Sequence, residues 1–127
     1  MLPFVDIKTV YHSPLERNFD FLSKVYENTS FLFDAITSMV EGNMDEKDIL
    51  NKRILLKPNW VLHNQKETDA FCLCTHENII LALAEVLLKK KPKSILIGDA
   101  PVQGCKWDKL LSDNFYTIQT TTEEITK

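Results

Sequence analysis

Two segments decide the fold of this chain: Arg53-Ile-Leu-Leu-Lys-Pro-Asn59 and Ser94-Ile-Leu-Ile-Gly-Asp99. Each starts with a short, mostly apolar strand and ends in residues that stop a strand; a proline, for example, cannot donate to the ladder. Between them, residues 60–74 predict a loop, and the apolar stretch that follows predicts a helix with Thr75 as its N-cap, an end near Lys90 and Pro92 beyond it. A strand–helix–strand unit of this kind predicts two parallel strands joined by a right-handed crossover.

The residues before this unit predict a further strand and two helices. Phe4–Val10 is rich in β-formers, and apolar residues recur at helical spacing over 15–26 and again over 32–40, where Gly42 is the expected stop. The sequence therefore predicts one α/β domain over residues 1–127, a three-layer α/β/α arrangement with a parallel sheet in β-α-β-α-β order.

The predicted helix over 78–88 is apolar nearly all round. Such a helix is normally covered on more than one side, and parallel sheets normally have both faces buried. Three strands and a few helices can hardly supply that cover. We therefore expect the chain to be the first part of a longer protein, with a missing C-terminal region, or a subunit of a homo-oligomer.

Composition excludes several classes of protein. Lys and Arg total 15 against 18 Asp and Glu, a net charge of −3, which gives no reason to expect nucleic-acid binding. The longest apolar stretch, Ile79–Leu88, is far shorter than the ~20 residues a bilayer requires, so no membrane span is expected. Three cysteines cannot all pair with one another, and no basic region precedes an apolar core at the N-terminus. The simplest prediction is a cytoplasmic protein with reduced thiols.

The predicted topology places a candidate site at the carboxyl edge of the sheet, where open parallel sheets bind ligands. Three segments reach that edge: the end of each strand and the start of the helix between them. A lysine there suits a phosphate or carboxylate, a helix N-terminus favours anions, and an aspartate can act as a base or hold a metal ion. The candidates are Lys57 and Asp99 as catalytic residues and Asn59, Thr75, His76 and Gln103 as substrate-binding residues.

The same residues have a purely structural interpretation, and the sequence leaves both open. Lys57 and Asp99 can pair across neighbouring strand ends, Asn59 can cap a turn, and Thr75 can serve only as a helix cap. Trp60 and Trp107, which flank the edge, suit packing better than a stacking platform. We favour an enzyme domain that binds a small anion, without a predicted reaction or cofactor.

Two alternatives belong to other functional classes. The first is a metal or iron–sulfur redox protein that uses Cys72, Cys74, His76 and Cys105, which are suitable ligand types. No C-x-x-C pair occurs among them, so we assign no metal ligand. The second is a noncatalytic domain whose exposed helix face docks a partner or the missing remainder of the protein.

Residues 54–61 and 92–104, together with Cys74-Thr75-His76 before an apolar helix, resemble the family known as domain of unknown function 362. The resemblance spans roughly residues 4–111 and is sharpest at Lys57-Pro58-Asn59 and Gly98-Asp99. It implies a family domain longer than this chain, of which the chain is the N-terminal portion, and mostly no assigned reaction. Some family members carry a ferredoxin-like cluster domain, but this sequence lacks its repeated C-x-x-C runs. Glu77 stands where the family often has proline.

Overall fold

The structure is a computed structural model that describes residues 5–9, 18–61 and 74–99. Its elements are helices α1 (Asn18–Glu27) and α2 (Thr29–Asn43), a short 3-10 helix (Glu46–Asp48), strand β1 (Arg53–Leu56), helix α3 (Glu77–Leu88) and strand β2 (Ser94–Ile97). The chain is thus a mixed α/β protein. Both strands of the predicted central unit form over the predicted residues.

The two strands are parallel neighbours, as the strand–helix–strand pattern predicts. Their register runs from Arg53 opposite Ser94 to Leu56 opposite Ile97. Matching turns precede them: Asn51 and Lys91 both have a φ of 56°, and the Asn51 N–H donates to the Lys91 carbonyl at 2.9 Å. This link between the two turns holds the amino ends of the strands side by side and so fixes their register.

The predicted first strand, Phe4–Val10, is wrong for the part of it that the structure describes. Residues 5–9 form no strand, and Val5 and Ile7 are 90% and 80% exposed. A β-rich sequence becomes a strand only where a neighbouring strand takes its backbone hydrogen bonds, and residues 5–9 have no such neighbour within the described chain. The sheet formed by described residues therefore has two strands instead of three.

Helices α2 and α3 pack on one face of the sheet. Ile54, Leu56, Ile95 and Ile97 belong to this face, and the core around them includes Val40, Val86 and the fully buried Ile49. Ile80, Ala82, Ala84, Val86 and Leu87 of α3 are buried. Ile79 and Leu83 of the same helix are only half-buried, so the described elements cover part of this apolar helix and the expectation of further cover stays a prediction. No helix of the described chain has the length and apolarity needed to cross a bilayer.

The exposed apolar surface lies instead on the other face of the sheet. Leu55 and Leu96 stand opposite each other in the register and are 65% and 67% exposed. Successive side chains of a strand point to opposite faces, so these two residues alternate with the buried Ile95 and the half-buried Ile54 and Ile97.

Side chains at both ends of α2 fix its position. Asn28 caps the start by accepting from the Phe31 N–H at 3.1 Å. The helix continues through Gly42, the predicted stop, and ends one residue later at Asn43. Near that end Lys90, of the basic run after α3, lies 3.6 Å from a Glu41 carboxylate oxygen. This ion pair links the end of α2 to the residues that follow α3.

Candidate functional site

The candidate site begins where β1 and β2 end. Because the strands are parallel and adjacent, Lys57 and Asp99 emerge at one edge, and Lys57 Nζ lies 3.0 Å from Asp99 Oδ1. The two side chains differ sharply in exposure: Lys57 is 68% exposed and Asp99 is 8% exposed. The pair therefore joins a buried carboxylate to an ammonium group that remains accessible to water.

Asp99 also fixes the loop that follows β1. Its Oδ2 accepts a hydrogen bond from the Trp60 N–H at 2.8 Å, so each carboxylate oxygen has a partner. Trp60 is itself only 5% exposed and packs with Ile80 and Ala84 of α3. The packing interpretation of Trp60 is thus confirmed. A buried carboxylate with two partners is suited to holding neighbouring groups in place.

Asn59 and Thr75 join the loop to the chain that leads into α3. The Asn59 N–H donates to Thr75 Oγ1 at 2.9 Å, and the Thr75 N–H donates to the Asn59 carbonyl at 2.9 Å. An antiparallel bridge between Trp60 and Cys74 extends this pairing by one residue. The start of α3 is therefore tied to the end of β1.

His76, and not the predicted Thr75, is the N-cap of α3. Its Nδ1 accepts from the Asn78 N–H at 3.1 Å, a role that requires this nitrogen to carry no proton. The ring stacks on Tyr26 with 4.3 Å between centroids, and the Asn78 side chain donates to the Tyr26 carbonyl at 2.7 Å. Burial lowers the pKa of His76 below its usual value, and the nearby Glu77 carboxylate partly opposes this effect.

The structure thus brings together Lys57, Asn59, Thr75, His76 and Asp99 along one edge. Gln103 lies outside the described residues, as do Cys72, Cys105 and Trp107. The pairing of Lys57 with Asp99 and the link from Asn59 to Thr75 agree with the structural interpretation, and they leave the binding and catalytic roles as predictions.

Two participants at this edge do not follow from the sequence patterns. The Trp60 backbone N–H is a partner of Asp99, and Tyr26 at the end of α1 stacks on His76. Tyr26 belongs to a helical apolar stripe, which indicates a core position but no particular neighbour. Only the packing of α1 near the start of α3 reveals its role.

The metal hypothesis gains no support from the described residues. Among residues 5–9, 18–61 and 74–99, no cluster of three or more His, Cys, Asp or Glu side chains could hold a metal ion. Cys74 and His76 are the members of the proposed ligand set that lie within this range.

Comparison of the chain with protein-family models, curated proteins and solved structures finds no match. The resemblance to domain of unknown function 362 therefore stays a prediction.

Proposed function

We propose that the carboxyl edge of the β1–β2 sheet binds a small anion, a phosphate or carboxylate group of a substrate, as part of an enzyme domain. The observation that carries this proposal is the contrast within the Lys57–Asp99 pair. A carboxylate that is 8% exposed holds an ammonium that is 68% exposed. The cation is thereby fixed in position and still open to a ligand.

Lys57 supplies the contact with the anion. Its ammonium group has three N–H donors, and Asp99 Oδ1 engages one of them at 3.0 Å. The first turn of α3, which the Asn59–Thr75 link holds beside Lys57, adds the positive end of a helix dipole to the same edge. Both groups attract negative charge, so their effects add.

Asp99 is first of all the residue that positions Lys57. A ligand that competes for the ammonium would weaken the pair and release a carboxylate oxygen at the site. The released oxygen could then accept a proton, which is the general-base role predicted for Asp99. In this proposal Asn59, Thr75, His76 and Gln103 orient the ligand.

The proposal includes the finer architecture that the sequence predicts. The chain would be the N-terminal portion of a cytoplasmic domain of the family known as domain of unknown function 362, with a three-layer α/β/α arrangement. The residues that carry the resemblance most clearly, Lys57-Pro58-Asn59 and Gly98-Asp99, directly follow the two parallel strands.

Anion binding can be tested with matched charge-removing variants at the two ends of β1. We would titrate the wild-type protein, Lys57→Gln and Lys52→Gln with inorganic phosphate and with succinate, each with and without Mg²⁺, and follow the melting temperature and the backbone amide NMR spectrum. Lys52 precedes β1 and Lys57 follows it, so both variants lose one charge on the same strand. A ligand at 100 times its Kd adds about 2.7 kcal/mol to stability.

We expect one of the two anions to stabilise the wild type and Lys52→Gln and to stabilise Lys57→Gln at least tenfold more weakly in apparent affinity. Amide shifts should be confined to residues near 57–60, 75–78 and 98–99. An equal response of the two variants would contradict the proposal, because it would indicate general screening of charge. Absence of any response in the wild type would contradict it as well.

A second candidate function, partner docking, is favoured by the exposed pair Leu55 and Leu96. Two aligned leucines on an open sheet face form an apolar patch that association would bury. Light scattering over a range of protein concentrations tests this function in its homo-oligomeric form. Self-association that Leu96→Lys abolishes would support it, and a monomer at every concentration would contradict it.

A further inference from the structure

Strand β1 has one edge that no described residue pairs with. The carbonyls of Lys52 and Leu56 accept from the N–H groups of Lys93 and Gly98, which places these carbonyls on the β2 side. Alternate residues of a strand direct their backbone groups to opposite edges. Arg53 and Leu55 therefore direct their N–H and carbonyl groups to the outer edge of β1. An open edge of this kind is a template for another strand.

A groove with a volume of about 580 Å³ runs beside this edge. One wall is β1, and the floor consists of aliphatic and methionine side chains of α2 and α3, among them Met39, Ile79 and Leu83. Asp6 also lines the groove. An apolar groove next to unpaired backbone groups fits an extended chain that supplies hydrogen bonds on one side and apolar side chains below.

The segment Val5–Thr9 already lies at the margin of the groove. The carboxylate of Asp6 accepts a hydrogen bond from Asn43 Nδ2 at 2.7 Å, which ties the segment to the end of α2. The segment alternates apolar and polar side chains, and its apolar members Val5 and Ile7 are 90% and 80% exposed. A strand beside β1 would place both apolar side chains in the groove.

In this arrangement the charged side chains of the segment would lie on the face of the sheet that carries Arg53. Turning Val5 and Ile7 into the groove directs Asp6 to the opposite face of the sheet, because side chains alternate along a strand. Closing therefore breaks the hydrogen bond between Asp6 and Asn43. Arg53 lies on that face of β1, and within the described chain it forms no ion pair. Lys8 would share this face with Asp6, so the added strand would bring one carboxylate and one ammonium group to the face that carries Arg53.

We infer that Val5–Thr9, which forms no strand in the structure, has a second conformation in which it pairs with the outer edge of β1 and closes the groove. Closing converts the two-stranded sheet into a three-stranded one and buries Val5 and Ile7. The segment belongs to the same chain, so closing does not depend on protein concentration.

Amide hydrogen exchange of Leu55 tests this inference, because its N–H lies on the outer edge. We expect exchange at least tenfold slower than in an unstructured peptide. The double variant Ile7→Pro plus Lys8→Pro removes two adjacent N–H groups, one of which faces β1 in either register, and should return Leu55 to fast exchange. The matched control, Ile7→Val plus Lys8→Arg, should keep the protection. Leu56, whose backbone groups face β2, reports whether the fold is intact in every variant.

Three results would overturn the inference. The first is fast exchange of Leu55 in the wild type while Leu56 stays protected. The second is unchanged protection of Leu55 in the proline variant, which would mean that another segment covers the edge. The third is protection that rises with protein concentration, which would identify a second copy of the chain as the occupant.

Discussion

The buried face of the sheet and its carboxyl edge are held in different ways. On the face, Ile54 and Ile95 pack against α2 and α3 by shape and apolar contact. At the edge, the groups are held by polar contacts between named atoms, such as Asp99 Oδ2 with the Trp60 N–H. The face therefore supplies most of the stability, and the edge supplies the positions of the side chains that could meet a ligand.

This difference has a consequence for substitutions. Apolar contacts on the face have no strict direction, so their loss is measured by the volume removed. Polar contacts at the edge depend on the donor and acceptor at each end, so replacing one atom by another can break them without changing any volume. The two regions should respond to different kinds of substitution.

The largest expected effect is on the free energy of unfolding. It distinguishes the two faces of β2, because adjacent residues of the strand lie on opposite faces. Ile95 is 5% exposed and Leu96 is 67% exposed. Ile95→Ala should lower the free energy of unfolding by about 2–5 kcal/mol, because it leaves a cavity in the core. Leu96→Ala should change it by less than about 0.5 kcal/mol, as is usual for exposed positions. Urea denaturation of both variants measures the difference. Similar losses in the two variants would show that the Leu96 face is covered in solution.

The second largest effect on the free energy of unfolding is expected at the carboxyl edge of the sheet, where Asp99 uses its two carboxylate oxygens. Asp99→Asn keeps the size of the side chain but replaces one acceptor oxygen by a donor, opposite either Lys57 Nζ or the Trp60 N–H. We expect a loss of about 1–3 kcal/mol in the free energy of unfolding, the usual cost of a buried polar group without its partner.

Lys57→Gln is the comparison for this second prediction. Because Lys57 is largely exposed and glutamine can still donate to Asp99 Oδ1, Lys57→Gln should cost less than Asp99→Asn, which places an amide donor opposite Lys57 or the Trp60 N–H. Urea denaturation of the two variants gives both values. A greater loss in Lys57→Gln would contradict the view that the buried carboxylate organises the edge.

The sequence predicts the face better than it predicts the edge. The β-forming runs at 53–56 and 94–97 and the apolar helix between them depend on local patterns, and the structure has each element at or near the predicted residues. The parallel pairing follows from their order, and with it the meeting of Lys57 and Asp99. Phe4–Val10 carries an equally clear β pattern, yet pairing requires a neighbour that no local pattern guarantees.

Contacts at the edge depend on details that are not local. Thr75 and His76 are adjacent, and either could cap α3; the choice follows from the Asn59 backbone, which occupies the Thr75 hydroxyl. The stack between Tyr26 and His76 joins residues that are fifty positions apart. Sequence patterns place such residues on elements, but only tertiary packing selects their partners.

The smallest expected effect is a pH dependence at the cap of α3. In the folded protein His76 is neutral at Nδ1, and burial lowers its pKa, whereas the unfolded chain has the ordinary value near 6.5. The unfolded state therefore binds a proton first as the pH falls. Above the pKa that His76 has in the unfolded chain, its neutral ring contributes fully to the stability of the folded protein. This contribution is lost as the pH falls from that value towards the lower pKa of the folded state.

His76→Asn isolates this contribution, because asparagine is a good N-cap that does not titrate. The variant also loses the Tyr26 stack, which should cost stability equally at every pH. Wild-type and variant free energies of unfolding, measured by urea denaturation from pH 7.5 to 5.5, should therefore converge on acidification. All other titrating groups are shared by the two proteins and cancel in the difference. A constant gap would mean that His76 keeps an ordinary pKa in the folded state, and a widening gap would mean that protonated His76 stabilises the edge.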